Sequence, residues 1–453
     1  MWRMARGCGS WVEHWRKVQA TLKLDDFAFK EGAELHIWYV HPYAGGPGLG
    51  THYRTYHLAR AWQQQGHSAT IFVAGFHHLR ETKDALPATF EIDGVKYVTV
   101  PARAYTGNGV GRILNMADFS SRLRQAGRKY GGDVPRPDAI IVSSPHPFSI
   151  FAGHALARRY DAKLIFEIRD IWPLSLTEIL GVSPRHPFVL MCGYAERFAL
   201  DKADLITSVL PRADQYIAER GYAAKPFQWV PNGLGKIPAD KSTMESQEGR
   251  IANAKLEEWK AQGKVTTVYA GSLGAPNGID LLLEALSHGK SLAEVDHCAA
   301  LIIGRGEQLD ALRAYAAERG LTDVHFAGWL PKGDTVALIK KADIAYAGLR
   351  NIQKLFRYGI SPNKLVDYFK ASLPVVLPIA PCGDPVSESG GGIAHAMEKP
   401  EAVWSALNEL IRQTQGERQR LGALGKAYME REYAFDDVAK RYIQAIDRLH
   451  AGV

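Results

Sequence analysis

The stretch LHIWYVHPYAGGPGLG, residues 35–50, joins an unbroken apolar run to a loop rich in glycine. The run LHIWYV does not alternate with polar positions, which is typical of a parallel strand that is buried on both faces. A helical stretch follows from about Thr51 to Gln65, with Gly66 as its C-terminal cap, and SATIFVAG (68–75) is the next strand. Strand, glycine loop, helix and strand in this order predict the opening of a doubly wound α/β sheet.

The same alternation of apolar strands and helices continues along the rest of the chain. Residues 233–263 are polar and charged, which is typical of a linker that runs into a helix. The strand pattern restarts after this linker, so we predict two α/β units, residues 34–232 and 233–435, with the segment 436–453 following. The predicted strands after the first two are AIIVSSP (139–145), LIFEIRD (164–170), DLITSVL (204–210), QWVPNG (228–233), VTTVYAGSLG (265–274), AALIIGRG (299–306), VHFAGWL (324–330), IAYAGL (344–349) and SLPVVLP (372–378).

Length and composition agree with two globular domains and exclude several classes of protein. The chain has 453 residues, too many for one ordinary core, and 46% of them are hydrophobic. Its 55 basic and 48 acidic residues give a net charge of +7, which fits a phosphate-bearing substrate or an anionic membrane surface. We find no basic tract interleaved with aromatics, and no run of the ~18 apolar residues that cross a bilayer. We therefore expect a cytoplasmic protein that does not bind nucleic acid.

The first 33 residues form an extension with its own pattern. Trp11, Trp15, Val18 and Leu22 recur at helical spacing, with basic residues on the other side. An amphipathic helix on the inner face of the cytoplasmic membrane is one interpretation, because aromatic and basic residues suit that interface. A helix packed on the domain, or an upstream start site, remains the alternative.

Two segments carry residues suited to binding a diphosphate. Glycines 45–50 follow the first strand, where a backbone without β-carbons and the next helix N-terminus can approach phosphates closely. The loop does not match GxGxxG, and no acidic residue ends the second strand, which argues against an NAD enzyme. In YGISPNKLVDYFKASLPVVLP (358–378), Lys364 and Asp367 lie on one face in the first turns of a helix. They are predicted to bind phosphate and ribose, respectively, unless they form only a surface ion pair.

The ordered motifs GGPGLG, FEIRDIWP, VPNG, YAGSLG, IIGRG, FAGWLP and SPNKLVDY resemble those of retaining family 4 glycosyltransferases, over residues 35 to about 449. The SPNK and RDIWP segments are most similar to bacterial enzymes of O-antigen, capsule or exopolysaccharide synthesis. The resemblance implies a GT-B fold, with two Rossmann-like domains facing a central cleft and a C-terminal helix, 436–453, that crosses back to the N-terminal domain. The N-terminal domain would bind the acceptor and the C-terminal domain the nucleotide-sugar.

The resemblance also implies roles for individual residues. On the donor side, Asn277 stands where many relatives have a lysine, so Lys364 would carry more of the phosphate neutralisation. Gly359 replaces the first acid of the family's E-x7-E motif, whose second acid matches Asp367. The residues assigned to the donor and its phosphates are Gly48, Gly50, Arg54, Ser272, Asn277, Lys364, Asp367 and Glu388; those assigned to the nucleobase are Gly304, Arg305, Trp329 and Leu330.

On the acceptor side, the pair Arg169–Asp170 stands where many relatives have a His-Asp pair. Asp170 would orient the acceptor hydroxyl or stabilise positive charge at the anomeric carbon, and Arg169 would hold an acceptor phosphate or Asp170 itself. His146 ends a strand at the edge where ligands bind in α/β sheets, so it is a third catalytic candidate. A structural Arg–Asp pair and a buried polar histidine remain the alternatives.

The function implied is the transfer of a sugar, such as an N-acetylated amino or deoxy sugar, from a UDP-sugar to a lipid-linked or saccharide acceptor. The sequence has no DxD motif and no metal-ligand spacing of Cys or His, so we expect neither an obligatory metal nor another cofactor. A nucleotide-sugar 2-epimerase of the same fold and a non-catalytic subunit of a polysaccharide-assembly complex are the competing hypotheses.

Overall fold

The structure is a computed structural model that describes residues 34–80, 84–107, 109–235 and 244–452. The predicted amphipathic helix within residues 1–33 lies outside the described residues. The chain divides into two compact units. Unit 1 runs up to Gly235 and also includes Arg357–Gly359 and Tyr433–Val453, and unit 2 comprises Lys236–Phe356 and Ile360–Glu432.

Unit 1 is built on an eight-stranded sheet in the order β3-β4-β2-β1-β5-β6-β7-β8. All neighbouring strands pair in parallel except β3 and β4, which form an antiparallel edge. The strand order reverses between β1 and β5. The loops that follow these two strands therefore run in opposite directions from this point of the sheet. The strands are β1 His36–Val40, β2 Ser68–Ala74, β3 Thr89–Ile92, β4 Val95–Val100, β5 Ala139–Ser143, β6 Lys163–Ile168, β7 Leu205–Ser208 and β8 Phe227–Trp229.

Helices cover both faces of this sheet, because right-handed crossovers in opposite directions place helices on opposite sides. Helix α1 and the C-terminal helix lie on one face, while α2, α3 and α5 lie side by side on the other. The helices before the linker are α1 Arg54–Gln64, α2 Val110–Tyr130, α3 Ile150–Tyr160, α4 Trp172–Glu178, α5 Pro187–Lys202 and α6 Ala213–Glu219.

Unit 2 contains a six-stranded parallel sheet in the order β11-β10-β9-β12-β13-β14. Its strands are β9 Val265–Ala270, β10 Cys298–Ile303, β11 Val324–Gly328, β12 Ile344–Tyr346, β13 Val375–Leu377 and β14 Gly392–Ala394. The remaining helices are α7 Gln247–Ala261, α8 Ile279–Ser291, α9 Leu309–Glu318, α10 Lys332–Lys341, α11 Gln353–Phe356, α12 Asn363–Lys370, α13 Pro385–Ser389, α14 Pro400–Ile411, α15 Gln415–Glu432 and α16 Phe435–Ala451.

The last helix, α16, packs in unit 1 against α1. The Trp62 indole donates a hydrogen bond to the carbonyl of Ala439 over 3.2 Å, and its ring meets Tyr442 edge-on at 5.6 Å. Both aromatic side chains are fully buried in the unit 1 core. The C-terminal segment is thus an integral part of unit 1, as the predicted crossing helix requires.

The predicted fold class is confirmed, since both units are doubly wound α/β domains. The sequence did not reveal the β3–β4 hairpin or helix α2, which occupy the stretch between the second and third predicted strands. Within the described ranges, no helix has both the length and the apolarity needed to cross a membrane.

Candidate active site

Lys364 is the centre of the candidate donor site in unit 2. It lies in the first turn of α12, and its ammonium group contacts Asn277 Oδ1 at 2.9 Å, the carbonyl of Gly348 at 3.1 Å and the Tyr269 hydroxyl at 3.3 Å. Asn277 and Gly348 follow the neighbouring strands β9 and β12, so the lysine joins loops at the carboxyl edge of the sheet. The structure therefore brings together Lys364 and Asn277, two residues that were predicted separately to bind phosphate.

The electrostatics of Lys364 favour binding of an anion. Its three polar partners are all neutral, and the ammonium also lies 4.7 Å from the centre of the Tyr269 ring. Burial lowers the pKa of Lys364 to about 7, because the charged form loses solvation and no carboxylate compensates for the loss. A phosphate oxygen at this position would supply the missing negative charge.

Glycines allow the loops at this edge to pack closely against one another. Gly304, after β10, has a φ of +148°, and a β-carbon there would lie 1.8 Å from the Gly271 carbonyl oxygen. Gly278 adopts the left-handed conformation, with φ +58°, directly before helix α8. The N-termini of α8 and α12 thus lie next to the Asn277–Lys364 contact, and both present a positive dipole end.

Asp367 does not pair with Lys364. Its carboxylate accepts from the ammonium of Lys332, an exposed lysine at the start of α10. The alternative of a Lys364–Asp367 surface ion pair is therefore wrong. Asp367 remains half-buried, with an acceptor oxygen that could serve a ribose hydroxyl, and this role stays a prediction.

The residues predicted to border the nucleobase follow β10 and β11, two adjacent strands. The Trp329 side chain is 61% exposed, and the Arg305 guanidinium lies 5.8 Å from its ring centre. Leu330 is buried, so of these two neighbours only the tryptophan presents a surface on which a base could stack. The contact of Gly304, Arg305, Trp329 and Leu330 with a nucleobase stays a prediction.

Two further donor-side candidates lie on other loops of unit 2. Ser272 is exposed after β9, and its carbonyl accepts from the Tyr269 hydroxyl over 2.7 Å. Glu388 lies half-buried on α13, the short helix after β13, whose N-terminus is capped by Asp384. No contact of either side chain tests its predicted role.

In unit 1, the glycine loop folds back on itself. Gly46 and Gly50 form a bridge in which each N–H bonds to the other residue's carbonyl, at 3.3 and 3.4 Å. A β-carbon on Gly50 would lie 2.7 Å from the Leu79 carbonyl oxygen. The predicted phosphate contact of Gly50 does not fit this geometry, because its N–H is used within the loop. Gly48 lies exposed at the loop tip, where its predicted role stays open.

Arg54 is a structural residue. Its guanidinium donates to Glu167 at 2.9 Å, to the Val230 carbonyl at 2.9 Å and to the carbonyl of Pro231, and both side chains of the ion pair are buried. The prediction that Arg54 binds phosphate is therefore corrected: its nitrogens are used inside unit 1. Burial alone would raise the pKa of Glu167, yet the nearby guanidinium of Arg54 holds it at about 2.

Arg169 and Asp170 follow strand β6 at the carboxyl edge of the unit 1 sheet. Arg169 Nη2 donates to Asn232 Oδ1 over 3.1 Å, while its Nη1 is buried without a partner among the described residues. Burial raises the pKa of the Asp170 carboxyl, although the residue keeps part of its surface exposed. The geometry thus ties Arg169 to Asn232 and leaves one of its donors unused.

His146 follows β5 and is only 1% exposed, and neither ring nitrogen has a hydrogen-bond partner in the described part of the chain. Burial lowers its pKa to about 3, so the imidazole is neutral at physiological pH. A neutral imidazole with two unused nitrogens can donate one hydrogen bond and accept another.

Sequence reasoning missed two further histidines near this edge, His41 and His52. Their rings stack with centres 4.7 Å apart, and Nε2 of each is buried without a partner among the residues described. His41 Nδ1 accepts from the Tyr43 N–H over 3.1 Å, which leaves its Nε2 as a donor in the neutral form. Their position in the sequence could have indicated His41, because it follows β1 as His146 follows β5. These two strands are neighbours in the sheet.

Within the described ranges, no cluster of three or more His, Cys, Asp or Glu side chains has the geometry to hold a metal ion. Unit 2 holds a cationic group with neutral partners. Unit 1, taken by itself, holds a set of unused donors and acceptors.

Comparisons with known proteins assign these units to families. Residues 50–233 match a glycosyl transferase 4-like domain, and residues 253–426 match the glycosyl transferases group 1 domain. No curated protein sequence matches the chain at a significant level.

Solved structures show the same fold at low sequence identity. Sucrose-phosphate synthase from Thermosynechococcus elongatus is 14% identical with a TM-score of 0.67, covering 93% of this chain and 100% of its own. An E. coli structure described as trehalose-6-phosphate bound with UDP-2-fluoro glucose is 12% identical with a TM-score of 0.62, covering 91% and 99%. WaaG, a glycosyltransferase involved in lipopolysaccharide biosynthesis, is 14% identical with a TM-score of 0.57, covering 91% and 99%.

The structural likeness establishes the GT-B fold, and the two domain matches, one to each half, establish the family. The chain therefore belongs to the group 1 glycosyltransferase superfamily and is a sugar transferase.

Proposed function

We propose that this enzyme transfers a sugar, with retention of its anomeric configuration, from a UDP-sugar to a lipid-linked or saccharide acceptor in surface polysaccharide synthesis. The observation that carries the proposal is the Lys364 site. A half-buried ammonium group with three neutral oxygen partners lies beside two helix N-termini, which suits the diphosphate of a nucleotide-sugar.

The proposed chemistry breaks the bond between the anomeric carbon and a phosphate oxygen. Positive charge develops on the sugar and negative charge on the departing diphosphate, and stabilising the latter lowers the barrier. The acceptor hydroxyl bonds the anomeric carbon, and its proton passes to the leaving phosphate. Lys364 and the N-termini of α8 and α12 would neutralise the leaving group, in the place that a divalent metal takes in other transferases. We accordingly propose that no metal or other cofactor is required.

The acceptor is proposed to bind in unit 1, at the carboxyl edge of its sheet. Arg169 Nη1 would hold an acceptor phosphate, because it is a buried charged donor without a partner among the described residues. Asp170 would orient the acceptor hydroxyl or stabilise the sugar's positive charge. His146 would bind an acceptor hydroxyl through its unused nitrogens, since its lowered pKa argues against a protonated role.

UDP is proposed as the nucleotide, with Trp329 stacking on the base and Asp367 accepting from the ribose. Support comes from the SPNK-type motifs and from the UDP-2-fluoro glucose in the E. coli structure of similar fold. A lipid-linked acceptor would bring the enzyme to the cytoplasmic face of the membrane.

The test begins with calorimetric titration of the full chain with UDP and with GDP. UDP should bind more tightly than GDP, and Lys364→Ala should weaken UDP binding. The matched control Lys260→Ala, which removes an exposed lysine of α7, should not weaken it. A panel of nucleotide-sugars is then incubated with a membrane extract to find which donor is consumed.

Three results would overturn the proposal. These are equal UDP affinity in Lys364→Ala, preference for GDP, and donor turnover without an acceptor that yields an epimerised sugar. The last result would favour a 2-epimerase of the same fold.

A further inference from the structure

Unit 1 exposes its large apolar side chains on one surface only, as far as its residues are described. Every one of them lies between residues 110 and 194, on helices α2, α3 and α5 or in the loop before α5. Helix α5 contributes Leu190, Met191 and Tyr194, which are 60%, 50% and 65% exposed. Helix α2 contributes Val110 at 70% and Leu114 at 40%. Scattered apolar residues are ordinary on a protein surface, whereas a concentration of this kind marks a docking site.

The three helices form one continuous surface, here named the α2–α3–α5 face. The Tyr160 hydroxyl of α3 donates to the Gly127 carbonyl of α2 over 3.0 Å. Between α3 and α5, the rings of Phe151 and Tyr194 stack with centres 5.9 Å apart, and Phe151 also packs on Phe198 at 4.9 Å. The exposed apolar side chains of α3 and α5 are therefore in contact, and α2 packs beside α3.

The direction of the helices aligns these side chains along one edge. Each helix returns from the carboxyl edge of the preceding strand to the amino edge of the next, so the three run the same way. The apolar residues lie in the N-terminal half of each helix, at the carboxyl edge of the sheet. Arg169 and His146 lie at that same edge.

The C-terminal halves of the same helices are basic and exposed. These positions are Arg122, Arg124, Arg128 and Lys129 on α2, Arg158 and Arg159 on α3, and Arg197 and Lys202 on α5.

Acidic side chains balance this charge only in part. Glu196 of α5 is buried and accepts from the Tyr216 hydroxyl. The exposed acids near the C-terminal ends of the three helices are fewer than the exposed basic residues; they are Asp133, Asp161, Asp201 and Asp204. Helices α2 and α3 carry no acidic residue in their C-terminal halves. An apolar band therefore lies beside a band of positive charge.

We propose that the α2–α3–α5 face docks on an anionic lipid bilayer, with the apolar band below the headgroups and the basic band at the lipid phosphates. Aromatic and aliphatic side chains flanked by arginine and lysine suit this boundary. A second copy of the chain is a poorer occupant, because pairing two such faces would bring eight exposed cations against eight others. The proposal is independent of which sugar or acceptor the enzyme uses.

The test measures sedimentation of the full chain with phosphatidylcholine vesicles containing 30% or no phosphatidylglycerol. Wild type should bind the anionic vesicles and lose binding as NaCl is raised. Leu190→Glu/Tyr194→Glu should bind at least tenfold more weakly. Replacing Arg158 and Arg197 by Gln should lower the affinity for anionic vesicles about fivefold for each charge removed. The matched control Ile251→Glu/Leu292→Glu changes two exposed apolar residues of unit 2 and should bind like wild type.

Thermal unfolding shows that each variant is folded, and UDP titration is read separately, so failure here leaves the proposed transferase chemistry untouched. The proposal is overturned if the folded Leu190→Glu/Tyr194→Glu variant binds vesicles like wild type, or if wild type binds no anionic vesicles. It is also overturned if wild type is a dimer by analytical ultracentrifugation that this variant converts to monomer, because the face would then hold a second copy.

Discussion

Raising the pH from 7.5 to 9.0 should weaken UDP binding through Lys364. The pKa of this lysine is lowered to about 7 by burial, so the protonated fraction falls across this interval. UDP needs the charged ammonium, and above pH 7.5 its own phosphates, with a second pKa near 6, no longer change charge. Proton linkage then gives a loss of about 20-fold in affinity, or about 2 kcal/mol, provided that the bound diphosphate raises the lysine pKa above 9.

The assay is calorimetric titration with UDP at pH 7.5, 8.25 and 9.0, in two buffers of different ionisation enthalpy. At pH 8.25 the complex should take up close to one proton, because the free lysine is mostly neutral and the bound lysine is charged. Lys364→Arg is the decisive control, because a guanidinium stays protonated throughout this pH range. The affinity of this variant for UDP should therefore not depend on pH. Lys370 on the same helix also has a lowered pKa, of about 8, so Lys370→Arg is included and should keep the wild-type slope.

Two results would refute this reasoning. A wild-type affinity that is flat between pH 7.5 and 9.0 would contradict the combination of a lowered Lys364 pKa with a contact to the diphosphate. A Lys364→Arg variant with the wild-type slope would assign the titration to another group.

Four further outcomes are expected. Glu167→Ala should lower the free energy of unfolding by about 3–5 kcal/mol in urea denaturation, because it leaves the buried Arg54 charge unpaired; a loss below 1 kcal/mol would contradict the pair's structural role. The pKa of Glu167 is held at about 2, below its usual 4.5, so its contribution to wild-type stability is present above pH 4.5 and should be lost as the pH falls towards 2. Asp170→Ala should mainly lower kcat with little change in donor KM, and near-normal turnover would reject its proposed role. Trp329→Ala should weaken UDP binding about fivefold or more by calorimetry, as expected for a lost base–aromatic stack, whereas unchanged affinity would place the base elsewhere.

The fold could be predicted because most of its strands are marked by a short apolar pattern in the sequence itself. The segments that form β5 and β10 are almost entirely apolar, as burial on both faces requires. The β3–β4 hairpin was missed because β3, Thr89–Ile92, is a short edge strand whose residues are at most half-buried. Helix α2 was missed because its exposed side is apolar at the N-terminal end and basic at the C-terminal end. The alternation of apolar and polar positions that marks a helix is therefore weak in this segment.

The candidate site was predictable residue by residue but not as a set of contacts. Lys364 and Asn277 stand 87 positions apart, so only the folded chain shows that they share a hydrogen bond. Arg54 was misassigned for the same reason, since Glu167 lies 113 positions away and nothing near Arg54 indicates a buried pair. Buried histidines without partners, such as His41, can be recognised only when the neighbouring strands are in place.

The most direct test of the account is the structure of the full chain with UDP bound. The account predicts that the ammonium of Lys364 lies within about 3 Å of a diphosphate oxygen, as in a charge-assisted hydrogen bond, with Asn277 beside it. A bound nucleotide whose phosphates make no contact with Lys364 would contradict it.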